Sequence, residues 1–104
     1  MKKINIKSIK EIEVKALTWF DKTYGNTYFA GKIYVKYKNG KTAKFLMPFE
    51  YGYGEQYLYE ALKILKKNYS GFEKISALWK VREKGISLFY SEKSALKKEL
   101  KNIK

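Results

Sequence analysis

An α+β domain with an antiparallel sheet of about five strands is the fold class that this sequence predicts. Segments of alternating apolar and polar residues lie on both sides of one long helical segment. Strands and helices do not alternate along the chain, which disfavours a doubly wound parallel sheet. The length of 104 residues, with 45% hydrophobic composition, suffices for one core. We therefore expect a single domain over residues 1–104, with the element order βββ-α-ββ-α.

Two alternating segments and one turn predict an antiparallel meander in the first half. Residues Glu11 to Phe20 and Thr27 to Lys38 each show one mostly apolar face. Asn39-Gly40 suits a two-residue type I′ hairpin, because both positions tolerate positive φ. Lys41 to Met47 is then the returning strand. Pro48 is expected to end it, since proline cannot donate a ladder hydrogen bond.

The second half predicts one long helix, a second hairpin and a short terminal helix. Glu55 to Asn68 carries apolar residues at helical spacing and should pack on one face of the sheet. Ile75 to Arg82 and Ile86 to Ser91 are expected to pair around Glu83-Lys84-Gly85. The final helix, Lys93 to Asn102, should dock on the core through one apolar side, formed by Leu96, Leu100 and Ile103.

The charge of the chain narrows its class of partner. The net charge is +13, and Arg82 is the single arginine among 23 basic residues. Such a charge on a small body attracts phosphate groups or acidic protein surfaces. Because arginine rather than lysine makes bidentate contacts to guanine and phosphate, we expect weak reading of base sequence.

The absence of cysteine and histidine restricts the available chemistry. Disulfides, thiolate catalysis and the usual zinc sites are excluded, and we expect neither a metal nor a cofactor. No segment approaches the roughly 18 apolar residues of a membrane span. The start of the chain lacks the apolar stretch of a signal peptide. The expected location is the cytoplasm, without a membrane partner.

An acid-free segment from Lys22 to Phe49 supplies the first candidate site. Lysines and tyrosines interleave on one face of its strand, as they do in proteins that bind single-stranded nucleic acid. The alternative is that the lysines keep an outer sheet face soluble and discourage edge pairing. The candidate binding residues are Tyr28, Lys32, Tyr34, Lys36 and Lys38.

Three further segments are weaker candidates. Lys97, Lys98 and Lys101 on the terminal helix would extend the positive surface. The loop from Pro48 to Glu55 leads into a helix but lacks a phosphate-binding motif, so its glycines and tyrosines are interpreted as a tight turn. Asp21 could act as a general base near Tyr24, although no histidine or cysteine can assist it.

Two motifs stand out in the sequence: WFDKTYGNTY, beginning at Trp19, and PFEYGYGEQY, beginning at Pro48. They resemble motifs of a family of small, uncharacterised bacteriophage and prophage proteins. The resemblance covers about Trp19 to Leu65, and the sequence departs from the family by its heavy lysine load. It implies a small accessory factor that binds host machinery, similar in size and simplicity to anti-CRISPR proteins.

The expected function is therefore that of a binding protein without enzymatic activity. The first hypothesis is an inhibitor that binds a host ribonucleoprotein or nuclease complex, such as a CRISPR effector. The alternative is direct, weakly sequence-specific binding of phage DNA or RNA. A third hypothesis is an enzyme that uses Asp21 with Tyr24.

Overall fold

The computed structural model describes residues 3–52 and 54–103 of the chain. Its strands and helices follow in the order β1 (Ile4–Asn5), η1 (Ile6–Ser8), β2 (Ile9–Asp21), β3 (Asn26–Tyr37), β4 (Thr42–Tyr51), α1 (Gln56–Asn68), β5 (Tyr69–Ser70), η2 (Leu78–Lys84), β6 (Ser87–Ser94) and α2 (Lys97–Lys101), where η marks a 3₁₀ helix. The α+β class is confirmed. The expected single antiparallel sheet of five strands is wrong, since the structure has a four-stranded mixed sheet and a separate parallel pair.

The large sheet has the strand order β4-β3-β2-β6. Its first three strands form the predicted antiparallel meander. Alternation along β2 and β3 buries Ile12, Val14, Ile33 and Val35 on one side, which we call the inner face. The opposite side, which carries residues such as Lys15 and Lys32, is the outer face.

Helix α1 covers the inner face and completes the main core. The predicted helix is confirmed almost to the residue, with Glu55 as its N-cap and Gln56 as its first residue. Its apolar residues Tyr57, Ala61, Leu62 and Leu65 are buried in the same cluster as the inner-face residues of the sheet. Most of the stability of α1 comes from the burial of this apolar stripe against the inner face of the sheet.

The second predicted hairpin is wrong. Residues Leu78–Lys84 form a 3₁₀ helix, and β6 pairs parallel to β2 instead of antiparallel to a preceding strand. Ile75, Leu78 and Val81 are all buried, and their spacing of three residues fits a 3₁₀ helix. Gly85, with a φ of 81°, ends that helix and is not part of a hairpin turn. The chain crosses the inner face through α1 and η2, as a parallel connection requires.

Two details of the meander also differ from expectation. No described residue other than glycine has positive φ, so Asn39-Gly40 is not a type I′ turn. Instead the Gly40 N–H donates to the carbonyl of Tyr37, and the side chain of Asn39 accepts from the N–H of Lys41. Pro48 does not end β4. It lies on the edge strand at a break in the β3–β4 register, where no ladder bond is needed from its nitrogen.

The final helix is shorter than predicted and docks on the opposite face from α1. Residues Lys93 and Ser94 still belong to β6, and the Ala95 N–H donates to the carbonyl of Thr18 before α2 begins. Helix α2 packs against β2, β3 and β4. Leu100 is 1% exposed, and Ala30, an outer-face residue by strand alternation, is fully buried. Neither residue belongs to the main core cluster, which lies on the other side of the sheet.

The Leu100→Ala variant should lose about 2–5 kcal/mol of unfolding free energy, because it removes the buried side chain that holds α2 to the sheet. Chemical denaturation measures the loss. Leu96→Ala is the matched control, since Leu96 precedes the same helix and is largely exposed, and it should change stability by less than about 0.5 kcal/mol. Equal losses in the two variants would contradict the docking.

Alkaline pH should destabilise the protein partly through Tyr57. Burial, followed by the carboxylates of Glu92 and Glu55, raises the pKa of Tyr57 to about 12. The unfolded tyrosine ionises near pH ~10, so the stabilising contribution is complete below that pH and is lost as pH rises through about 12. Tyr57→Phe should therefore flatten the fall of unfolding free energy across this range. Tyr24→Phe, at a side chain that is 78% exposed, should keep the wild-type slope.

Candidate anion-binding face

Four of the sequence-predicted binding residues lie on the outer face of β3. Strand alternation places Tyr28, Lys32, Tyr34 and Lys36 there, because the residues between them point to the other side, where Phe29, Ile33 and Val35 are buried. Lys38 lies beyond the end of the strand, in the turn, where its N–H donates to the carbonyl of Ser8 at 2.9 Å. It is exposed but does not continue the row.

The first half of this face is occupied by stacked rings. Tyr28 lies between Trp19 on β2 and Phe49 on β4, with ring centroids 5.7 and 5.0 Å away. We call these three rings the aromatic ladder. The interplanar angles are 28° and 8°, so neighbouring rings cover one another's faces. The faces of Tyr28 are therefore not available to stack on a base.

Helix α2 places a lysine at each end of the ladder. The Nζ atom of Lys97 lies 5.4 Å from the ring centroid of Trp19, and that of Lys101 lies 5.5 Å from the centroid of Phe49. These are cation–π distances. Two of the three predicted lysines of the terminal helix are thus engaged with rings of the sheet, while Lys98 is exposed on the same helix.

The second half of the face carries lysines in an unusual pairing. Lys15 on β2 lies directly opposite Lys32 on β3, and like charges in that position destabilise a sheet. The Nζ atom of Lys15 lies 5.8 Å from the ring centroid of Tyr34, which is the diagonal neighbour. Lys44 of β4 is directly opposite Tyr34 on its other side. We call Lys15, Lys32, Tyr34 and Lys44 the basic face.

Two carboxylates lie at the Lys36 end of the outer face. Glu11 is opposite Lys36, and Glu13 is opposite Tyr34, both on β2. The cross-strand neighbours of Lys32 are Lys15 and Leu46, so no acidic residue faces it across either strand. Glu13 is the diagonal neighbour of Lys32 and lies two residues before Lys15 on the same face, so it offsets part of the charge of this pair.

Sequence reasoning missed Lys15 as a member of this surface. The acid-free segment directed attention to residues 22–49, and Lys15 lies outside it. Its position on the polar side of the first alternating segment was the signal that could have identified it, but the cross-strand register was also required.

Asp21 stabilises the β2–β3 turn through hydrogen bonds to the backbone. Its Oδ1 atom accepts from the N–H of Thr23 at 2.9 Å and from that of Tyr24 at 3.4 Å. This is the ordinary turn-closing use of aspartate. Another carboxylate, Glu50 of β4, lies beside Glu60 and Lys63 of α1. Burial, and then Glu60, raise the pKa of Glu50.

The loop before α1 makes a close packing turn. The N–H of Gly52 donates to the carbonyl of Thr27, and a side chain at this position would come within 2.8 Å of the Phe29 ring. Residue 53, in the middle of the motif, lies outside the described residues. In the described residues on either side of it, the loop supports the interpretation as a tight strand-to-helix connection.

Neither a metal site nor a membrane-spanning helix is found in the described residues. No group of three or more acidic, histidine or cysteine side chains there could hold a metal ion. None of the helices formed by residues 3–52 and 54–103 has the length and apolar character needed to cross a membrane. Comparisons with protein-family models, curated proteins and solved structures gave no match.

Lys32→Gln should raise the unfolding free energy by up to about 1 kcal/mol at low salt, because it removes the repulsion across from Lys15. The gain should shrink in high salt, where exposed charges are screened. Lys74→Gln removes the same charge from an exposed position after α1 and controls for the change in net charge. If both variants gain equally, the cross-strand pair has no special effect.

Proposed function

We propose that this protein is a non-enzymatic accessory protein, of phage or prophage type, that binds and inhibits a host nucleic-acid-handling defence complex. The observation that carries the proposal is the directly opposed pair Lys15 and Lys32 on an open sheet face. A pair of like charges costs stability in the free protein and becomes favourable when an anion lies between them. A phosphate group or a cluster of carboxylates on the complex meets this requirement.

The arrangement of the aromatic residues favours charge recognition over base stacking. The rings best placed to stack bases belong to the aromatic ladder and cover one another. Tyr34 has Lys15 over its ring. The basic face therefore offers lysine point charges, which suit a phosphate backbone or an acidic protein surface without reading base identity.

The protein would inhibit the complex by occupying the phosphates that the complex needs for its next step. A CRISPR effector holds a guide–target heteroduplex and a displaced single strand, and both carry phosphates. A compact domain with a net charge of +13 is steered to such phosphates and, once bound, prevents the next strand from entering.

Direct binding of phage DNA or RNA is the second candidate function. It is favoured by the same Lys15–Lys32 pair, because duplex DNA carries about one negative charge per 1.7 Å of helix axis. The two candidates differ in whether bare nucleic acid is sufficient for tight binding.

Replacing Lys15, Lys32 and Lys44 together by Gln should weaken binding to its anionic partner and flatten its salt dependence. On duplex DNA, the slope of log affinity against log salt should fall by about 0.9 for each phosphate that the variant no longer neutralises, or about 2–3 in total. Fluorescence anisotropy with a labelled oligonucleotide measures both quantities. The control replaces Lys66, Lys67 and Lys74, exposed lysines at the end of α1 and just after it, so that net charge changes equally.

A cleavage assay separates the two candidates. An inhibitor blocks DNA cleavage by a CRISPR effector loaded with guide RNA at concentrations where naked oligonucleotide remains unbound. A direct binder protects DNA only at concentrations where it also shifts naked oligonucleotide. If the triple variant of the basic face and its control behave alike in both assays, this surface is not the binding site.

A further inference from the structure

A second surface with the opposite chemistry lies on the other side of the molecule. A pocket of about 270 Å³ opens between the start of α1, helix η2 and strand β6. Its described walls include Leu58, Leu78 and Leu88 at the base, with Glu55, Tyr59 and Trp79 among the others. The elements around it pack on the inner face, so the pocket is separated from the basic face by the sheet.

Three aromatic side chains line this pocket and do not belong to the buried core cluster. Tyr59, Trp79 and Tyr90 come from α1, η2 and β6, and they are 62%, 53% and 41% exposed. Large exposed aromatic residues that converge from separate elements on one cavity are typical of a binding site.

The charged residue that lines this pocket is acidic, although the chain as a whole is basic. Glu55 is the charged residue among its described lining residues, and its side chain makes no capping hydrogen bond to α1. Glu92 lies two residues beyond Tyr90, on the same side of β6. Burial is the largest cause of the raised pKa of neighbouring Tyr57, and these two carboxylates raise it further.

The rings of the pocket already attract cations from outside it. Lys80 lies 5.8 Å from the centroid of Trp79, where Ser76 accepts a hydrogen bond from its Nζ. Arg82 lies 5.9 Å from the centroid of Tyr90 and donates to the carbonyl of Leu88. Neither cation is among the described residues that line the pocket.

We propose that this pocket binds an alkylated ammonium group. Aromatic walls, an apolar base and one carboxylate match a cation that is weakly hydrated and carries methyl groups. The volume lies just below the roughly 300–1,000 Å³ of sites for drug-sized ligands, so it suits a head group or one side chain. Such a group could belong to a small quaternary ammonium compound or to a methylated lysine of another protein.

An NMR titration with choline tests the site in the intact protein. At about 0.15 M salt the net charge is screened beyond roughly 8 Å. Choline should shift the indole N–H signal of Trp79 with saturation and leave that of Trp19, in the aromatic ladder, unchanged. The neutral isostere 3,3-dimethylbutan-1-ol should bind about tenfold more weakly or worse, because it lacks the charge. Equal binding of the two compounds, or equal shifts at both tryptophans, would overturn the proposal.

Two variants assign the effect to the pocket. Glu55→Gln and Tyr59→Ala should each weaken choline binding several-fold while the remaining spectrum stays dispersed. Glu83→Gln and Tyr24→Ala, which make the same changes at exposed positions outside the pocket, should bind choline as the wild type does. Unchanged binding in Glu55→Gln would contradict the role of charge.

Peptide ligands distinguish the two sources of the cation. A peptide with trimethyl-lysine that binds at least tenfold more tightly than choline identifies a methylated protein as the source. Equal affinities identify a small molecule. The same peptide with unmodified lysine should bind more weakly, and if it binds equally well, the pocket does not recognise the alkylated group.

Discussion

The structure depends on the double pairing of strand β2. Its backbone bonds to β3 along nearly its whole length and to β6 over residues 11–18. Because β2 is central, its side chains are fixed in register with both neighbours. That register buries Ile12 and Val14 on the inner face and places Lys15 opposite Lys32 on the outer face. The basic face lies on β2, β3 and β4, and β2 also holds β6, the strand that contributes Leu88 and Tyr90 to the pocket.

The two candidate surfaces have opposite chemistry because the sheet separates them. Lysines on the outer face lie where only the short helix α2 covers the sheet, so much of their charge remains exposed to solvent. On the other side, α1 with its N-cap Glu55 and η2 bring one carboxylate and aromatic rings together beside β6. The basic face is built from β2, β3 and β4, whereas the pocket is built from α1, η2 and β6.

The parts of the fold that could be predicted are those with one unambiguous period. Strands β2 and β3 alternate cleanly because one of their faces is solvated, and α1 carries a single apolar stripe. The segment from Ile75 to Val81 satisfies two periods at once, because Ile75, Ala77, Trp79 and Val81 alternate while Ile75, Leu78 and Val81 recur every third residue. In the folded protein the three-residue period determines the structure, because Ile75, Leu78 and Val81 are buried together in the core. The parallel partner of β6, the side on which α2 docks, and the pairing of Lys15 depend on residues far apart in sequence, which local patterns do not encode.

The pairing of β2 with β6 also determines the order in which the chain can fold during synthesis. The meander β2–β3–β4 is complete in sequence before α1 begins, whereas β6 and α2 come last. Until those final residues leave the ribosome, one edge of β2 is unpaired, and the aromatic ladder has no helix over it. Contacts between distant parts of a sequence form slowly. The nascent chain therefore exposes an aromatic sheet face and an open strand edge until β6 and α2 have emerged, and during that time association with other chains competes with folding.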